Sequence, residues 1–397
     1  MKHGFVRCRS FLFLVVNLIF LLTACDSSPP PATGSTAKQD AVKKVLIGSV
    51  APMSGPQAHL GQDNSNGALL AIEDLNAQAL VIGGQKIEFV LLTEDDQADP
   101  RTATIVAQKL VDEGAAGVVG HLNSGTSIPA SKIYYDAGLP QVSPSATAVA
   151  YTAQGFSTAY RVMANDAQQG KVLGEFAVQK LKAISIAVID DRSAYGQGLA
   201  DEFEKVVKAA GGTLVAREFT TDKNTDFMAI LTTIKGKNAD LVFYAGMDAQ
   251  AGPLMKQLRN LGSKAKFLGA DGMQNTGFLK LAGADAEGAM ASSPGMPYEV
   301  MPKGAAFRER FIARFGEIQG YAVFSYDAVN VLATAMQRAD SVDPKIYAPK
   351  MRDTDLAGVS GQIRFDEKGD RLNSSVTLYE VKQGAWVALE TMGGTGH

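Results

Sequence analysis

Apolar positions are arranged differently in successive stretches of this chain. Near the start, Phe11-Leu12-Phe13-Leu14-Val15-Val16-Asn17-Leu18-Ile19-Phe20-Leu21 form an almost unbroken run behind the cations Lys2, Arg7 and Arg9. Residues 26–43 lose the pattern and are rich in Pro, Ser, Thr and Ala, so they predict a tether that builds no core. From Val45 onward, short apolar runs alternate with helically spaced segments. Val45–Val50 predicts a buried strand, and Asn66–Gln78 a helix with Leu69, Ala71, Ile72 and Leu75 on one face. Ile87–Leu92 predicts a strand. Asp99-Pro100, an N-cap followed by proline at the first helical position, opens a helix ending at Gly114. A strand over Ala116–Leu122, a helix to Gly138 and a strand ending in the turn Ser143-Pro144-Ser145 follow.

The same rhythm returns after about residue 165. Helices over Gln168–Lys182, Leu199–Ala210, Phe227–Ile234 and Pro253–Leu261 alternate with strands at Ser185–Ile189, Thr213–Phe219, Asp240–Tyr244 and Phe267–Gly269. Strand–helix alternation implies parallel sheets covered on both faces. Two such series predict an α/β fold of two doubly wound parallel-sheet lobes, without an internal sequence repeat. Open parallel sheets bind ligands beyond the carboxyl ends of their strands, so the loops that follow strands are the places to search.

The apolar run near the start ends in Leu22-Thr23-Ala24-Cys25. Basic start, apolar stretch and small residues before the cut predict an export signal over 1–24. The final cysteine gives it the look of a bacterial lipoprotein signal, with lipid on Cys25 and residues 25–43 as the anchored tether. The competing reading, an uncleaved membrane anchor, is short of the roughly 20 residues a span needs. The expected location is extracytoplasmic, on the periplasmic face of the cell membrane. Asp26, directly after Cys25, resembles an inner-membrane retention signal.

Removing the signal takes away three cations and no acid, which makes the formal charge of −3 more negative. A mildly acidic body argues against nucleic acid or anionic lipid as the main partner. At 46% hydrophobic and 20% charged residues the chain can bury a full core. The only cysteines are Cys8, inside the signal, and Cys25, so the mature body has no disulfide, thiol nucleophile or Cys-based metal site. Its histidines are His59, His121 and the terminal His397.

No G-x-x-x-x-G-K-[ST] phosphate loop and no G-x-S-x-G elbow is present. Tyr195-Gly196-Gln197-Gly198 starts like a dinucleotide fingerprint but has Asp201 where the third glycine belongs. Glu94-Asp95-Asp96 with Asp99 could hold a hard cation. A strand end, a turn and an N-cap account for it equally. His121 ends a strand with no acid or serine beside it in sequence. No enzyme activity, cofactor or metal is expected.

Three post-strand loops carry candidate ligand chemistry. Leu122-Asn123-Ser124-Gly125-Thr126-Ser127 and Ser143-Pro144-Ser145-Ala146-Thr147 are small and hydroxyl-rich. Such loops at helix N-termini stabilise a carboxylate through N–H donors and the helix dipole. Ordinary helix capping by serine explains either loop as well. In Gly269-Ala270-Asp271-Gly272, Asp271 could pair with a cation, or the segment is a plain Asp-Gly turn.

Together these loops resemble the leucine/isoleucine/valine-binding protein family, receptors of ATP-driven amino-acid importers. The shared features are Pro52-Met53-Ser54-Gly55-Pro56, Gly67-Ala68, Asp95-Asp96 with Asp99-Pro100, Gly120-His121-Leu122, Ser143 to Thr147, Tyr195 to Gly198 and Phe365-Asp366-Glu367-Lys368-Gly369-Asp370. The resemblance runs from Val45 to the end of the folded body. It implies two lobes joined by a three-crossing hinge: 44–164 plus 292–360, and 165–291 plus 361–397. It implies that Ser124 and Thr147 hold an α-carboxylate, that Ser145 and Ala146 adjoin the ligand head, that Tyr195 covers it, and that Asp271 pairs with the α-ammonium.

Departures fall around the ligand side chain. Leu60 stands where the family has Trp, Met247 where it has Tyr, and Asn123 and Ala98 where it has half-cystines. The expectation is a monomeric receptor for an apolar, branched-chain or larger L-amino acid, with the side chain near Leu60, Met247 and Asn123, serving an ABC permease. Receptors for amides, urea or aromatic acids, and sensors without import, are the alternatives this fold leaves open.

Overall fold

The computed structural model describes residues 42–394. The signal over 1–24, Cys25 and nearly all of the tether lie outside the described residues.

The first sheet is built by β1 (Lys43–Ala51), α1 (Ala58–Ala77), β2 (Val81–Ile82), β3 (Gln85–Asp95), α2 (Pro100–Asp112), β4 (Gly117–Gly120), α3 (Ser124–Ala137), β5 (Gln141–Ser143), α4 (Val149–Ala153) and β6 (Ala159–Arg161). Its strand order is β2-β3-β1-β4-β5-β6, parallel except for the β2–β3 hairpin. The buried residues of β1, including Val45, Ile47 and Val50, explain its continuous apolar run: both faces are covered.

The chain then crosses to a second sheet. It comprises α5 (Asp166–Glu175), β7 (Ser185–Asp190), α6 (Ala194–Ala209), β8 (Thr213–Phe219), α7 (Met228–Gly236), β9 (Leu241–Ala245), α8 (Asp248–Asn260), β10 (Lys266–Gly269), α9 (Thr276–Ala282) and β11 (Met290–Ser293). After β11 the chain returns. α10 (Gly304–Phe315), α11 (Ala322–Ala339) and α12 (Pro344–Met351) pack on the first lobe, and β12 (Leu356–Gly358) pairs with β13 (Gly361–Ile363). β14 (Ser375–Lys382) and β15 (Ala385–Gly393) finish the second sheet, in the order β15-β14-β11-β10-β9-β7-β8. These last two strands are antiparallel, so this lobe is mixed and not wholly parallel. Three passages between the sheets make the hinge. Phe365 still packs against Tyr160 of the first lobe, the rings tilted at 54°, and the chain re-enters the second sheet only at Ser375.

Three helices start five or more residues earlier than the apolar spacing predicts: α1, α8, and α6, which begins at Ala194 and not at Leu199. α1 begins at Ala58, not Asn66, because Asp63, Asn64 and Ser65 are buried polar residues with tertiary partners and hide the helical stripe. α8 begins at Asp248 and carries Pro253 inside it. Gly67 lets α1 approach α11: a Cβ there would lie 2.1 Å from the Ala322 carbonyl oxygen. Among the described residues, no helix is long and apolar enough to cross a membrane.

Candidate functional site

The post-strand loops of both sheets face one another across a cleft. On the first-lobe side, α3 starts at Ser124 with Asn123 as N-cap residue, and no side chain caps its amides. The Asn123 side chain turns away and donates from Nδ2 to Gln57 Oε1 at 2.7 Å. Ser124 Oγ accepts from the Ala148 amide at 3.1 Å, tying the two hydroxyl loops together. Ser145 Oγ accepts from Asn64 Nδ2 at 3.2 Å.

The amides of Ser145 and Ala146 are already engaged by Ser143 Oγ, at 3.3 and 2.9 Å. The second loop is held from beneath by Arg161, which is fully buried. Its Nη1 donates to the carbonyls of Ala146 and Ala148 at 2.8 and 2.9 Å, and its Nε pairs with Asp370 at 2.7 Å. Thr147 Oγ1 is buried without a partner among the described residues.

On the second-lobe side, Asp271 follows β10 and is 6% exposed. Its Oδ1 accepts from Gln169 Nε2 at 2.8 Å and from Tyr195 Oη at 2.9 Å, and its Oδ2 from Tyr321 Oη at 2.8 Å. Burial raises its pKa, while these three donors act to lower it. Gln169 is itself oriented by Ser292, whose Oγ donates to its Oε1 at 2.6 Å. Gly272 is needed beside the acid: a Cβ there would meet the Gly246 carbonyl oxygen at 2.7 Å and Tyr195 Cε1 at 3.1 Å.

Tyr321 comes from the first lobe, so its bond to Asp271 spans the cleft. It is set by Asp63 of α1, whose carboxylate accepts the amides of Gln319, Tyr321 and Ala322 at 2.8–2.9 Å. Burial pushes Asp63 up to about 6 against those amides. Two further contacts span the cleft. His59 Nε2 lies 2.9 Å from Asp248 Oδ2, and Thr276 Oγ1 donates to Gln319 at 2.6 Å. The lobes are therefore closed on each other.

A cavity of about 410 Å³ opens beside the Ser124 loop, lined by Gln57, Ala98, Asn123, Ser124, Tyr195, Asp191 and Met247 among others. Met247, Asn123 and Ala98 thus line the same cavity, Ala98 and Asn123 from the first lobe and Met247 from the second. Leu60 does not: it is fully buried in α1 and does not line this cavity. Sequence reasoning missed Gln169, Tyr321, Asp63 and Asp166. Asp166 had a signal of its own, but the signal pointed elsewhere. Asn165 and Gln168 form a capping box, which makes Asp166 look like a first-turn acid serving the helix dipole.

The acidic run after β3 resolves into structural roles. Asp99 caps α2 by accepting from the amides of Arg101 and Thr102 at 2.9 Å, and Asp95 accepts from the Met53 amide at 2.9 Å. Asp96 pairs with His121 Nδ1 at 2.8 Å, and Tyr134 Oη lies 3.0 Å from Nε2. That pair is sealed from solvent. No metal-ligating group is found among the described residues.

Two α/β lobes closing over an uncapped helix N-terminus and a buried acid define a ligand-binding protein of the type I periplasmic class. The chain belongs to the periplasmic binding protein family, which it matches over residues 44–385. It is 35% identical to the leucine-, isoleucine-, valine-, threonine- and alanine-binding protein of Pseudomonas aeruginosa, over 86% of this chain and 90% of that one. Among solved structures it resembles LivJ, the branched-chain amino acid transporter substrate-binding protein of Streptococcus pneumoniae, determined with isoleucine (TM-score 0.81, 29% identity, 88% and 100% coverage). The leucine-binding protein LivK of Thermotoga maritima is similarly close (TM-score 0.81, 27% identity, 88% and 98% coverage). The family places the chain outside the cytoplasm.

Proposed function

We propose that this protein captures an L-amino acid with an apolar, branched-chain or larger side chain by lobe closure and delivers it to an ABC permease. The observation that carries this reading is the pairing of opposite electrostatics across one closed cleft. Uncapped α3 amides and the Ser124–Thr147 hydroxyl loops lie on one side, and the buried acid Asp271 on the other. A zwitterion satisfies both ends, and an unpaired buried charge is costly. Ser124 and Thr147 take the carboxylate, and Asp271 takes the ammonium. Tyr195 covers the head, and the side chain extends towards Met247 and Asn123. The names of the relatives, all amino-acid binders or transport receptors, support this.

Ser145 and Ala146 shape the loop more than they touch ligand, since their amides are held by Ser143. Leu60 acts from behind the wall. The moving bodies are 44–164 plus 292–360 and 165–291 plus 361–397; sheet membership supports the first crossing, while β11 stays in the second sheet as far as Ser293 and that sheet is re-entered at Ser375. The protein works as a monomer without catalysis, tethered to the membrane by lipid on Cys25, which raises its effective concentration near the permease.

The test is calorimetry with the twenty amino acids. Tight binding of an aliphatic one is expected. Tight binding only of an amide, urea or an aromatic acid overturns the reading. That second class is favoured by one observation: Asp271 already has three protein donors, so it needs no ligand cation to be partnered.

A further inference from the structure

One contact across the closed cleft involves two residues that do not line the cavity, His59 on α1 and Asp248 on α8. His59 Nε2 lies 2.9 Å from Asp248 Oδ2. The two side chains are unequally covered: Asp248 is 1% exposed and His59 32%. Neither Asp248 oxygen accepts a well-directed hydrogen bond among the described residues, and His59 is the one cationic group there within 4.0 Å of it. Gly277, at the start of α9, makes room for the pair. A Cβ there would lie 2.1 Å from Asp248 Oδ2 and 3.0 Å from His59 Nε2. The contact is therefore packed into the lobe interface and is not a chance meeting of two surface side chains.

The groups around the imidazole favour its charged form. The Asp248 carboxylate and the Pro56 carbonyl are both acceptors, and only the imidazolium donates from both ring nitrogens. Asp63, one turn further along α1, adds a second negative charge. It sits on the same helix as His59, so lobe motion does not change its distance from the ring. From α9 come Gly277 and its N-cap Asn275, which carry no charge. With the lobes apart, water solvates Asp248. With the lobes closed and the ring neutral, the Asp248 carboxylate would be buried without a counter-charge, which is costly.

We propose that His59 and Asp248 form a proton-dependent clasp that sets ligand affinity without touching the ligand: the lobes close most firmly when His59 is an imidazolium, so capture takes up a proton. The clasp rests on the lobe-closure reading above and not on which ligand is captured. Its direction follows from linkage. Asp248 raises the pKa of the ring, against the burial that lowers it, and that partner is lost when the lobes part. A histidine raised in the closed state favours closure fully below its open-state value. It loses that contribution as pH rises through the closed-state value. The affected window runs upward from the ordinary histidine value of 6.5.

The test compares wild type with His59→Gln and Asp248→Asn at about pH 5.5, 7 and 8.5. Each protein is titrated calorimetrically with L-leucine and L-isoleucine, and each unliganded protein is measured by small-angle scattering. Wild type should bind at least about threefold more tightly at the lowest pH than at the highest, and its unliganded form should be more open at the highest. Both variants should lose most of that dependence. Asp63 and Asp191, raised to about 6, remain in all three proteins, and Asp248→Asn leaves His59 beside Asp63. A slope lost in Asp248→Asn therefore belongs to the clasp. A wild-type slope retained in Asp248→Asn, or a wild type whose affinity ignores pH, overturns the clasp and leaves the amino-acid reading intact. Where Asp248→Asn does not fold, His59→Gln decides in the same way. A wild type that binds neither amino acid counts against the amino-acid reading. The clasp then stands or falls on whether pH moves the wild-type scattering profile and leaves those of the variants unmoved.

Discussion

Asp271 and Asp166 are both buried and feel each other's charge, yet one is ringed by three donors and the other is not. Asp271 receives donors from three separated places in the chain: Gln169 on α5, Tyr195 on α6 and Tyr321 just before α11. Asp166 has no donor at full hydrogen-bond distance among the described residues, with only the Thr147 hydroxyl close enough to offset its burial. The difference separates two uses of a buried acid. Asp271 organises the protein: it gathers both lobes around itself, so its charge is met before any ligand arrives. Asp166 is held protonated by its surroundings: burial first, and the Asp271 charge second, keep its pKa well above the ordinary carboxylate range. Charge-assisted hydrogen bonds are about twice as strong as neutral ones, so each arrangement has consequences that can be measured.

The largest effect should come from Asp271→Ala. It removes one ammonium acceptor and strands Gln169, Tyr195 and Tyr321 at once. Amino-acid affinity should fall at least a hundredfold, about 3 kcal/mol, by calorimetry. An unchanged affinity would mean that the ligand carries no cation. Next comes Tyr321→Phe, which deletes only the cross-cleft bond. Closure should weaken by about 1.5–3 kcal/mol, the range for a hydrogen bond to a charged group, and small-angle scattering should show a more open unliganded protein. A closed scattering profile in that variant would assign closure to other contacts and break the contrast drawn here.

The smallest effect lies away from both acids, at His59 and Asp248. The Asp248 carboxylate raises the His59 pKa, against burial, which lowers it. A histidine whose pKa is raised on folding stabilises fully below its unfolded value and loses that contribution as pH rises through the folded value. Thermal unfolding of wild type and His59→Gln should therefore differ near pH 6 and converge by about pH 8.5, by less than about 1 kcal/mol because the imidazole is partly exposed. Asp191, raised to about 6 chiefly by burial, titrates in wild type and variant alike, whereas Asp63, also raised to about 6, interacts with His59, so the difference near pH 6 reports the two together. A difference that persists at high pH would give His59 a packing role instead.

Much of the scaffold was legible in the chain. The short continuous apolar runs and the 3.6-residue spacing gave the strand–helix alternation, and the Asp99-Pro100 start gave α2 to within two residues of its end. Those signals are local: backbone geometry, capping and one apolar face. The site was legible only in part. The hydroxyl loops and Asp271 stood out because they follow strands. The start of α1 did not, since Asp63, Asn64 and Ser65 are polar residues turned inwards to partners far away in sequence. Tyr321 gave no signal at all, because its value lies in meeting an acid 50 residues earlier. Leu60 was expected near the ligand side chain; it is fully buried in α1 and is not among the residues lining the cavity.

The sequence by itself determined two α/β lobes, the loops able to meet a ligand, a body free of cysteine chemistry, and the family to which these belong. Only the tertiary structure decided which polar groups are satisfied and which are not. Composition supplies donors and acceptors, but satisfaction depends on distances between residues that the chain keeps far apart. That is why Asp166 reads in sequence as one more acid in the first turn of a helix. In the folded protein it is a buried acid with no ion-pair partner among the described residues.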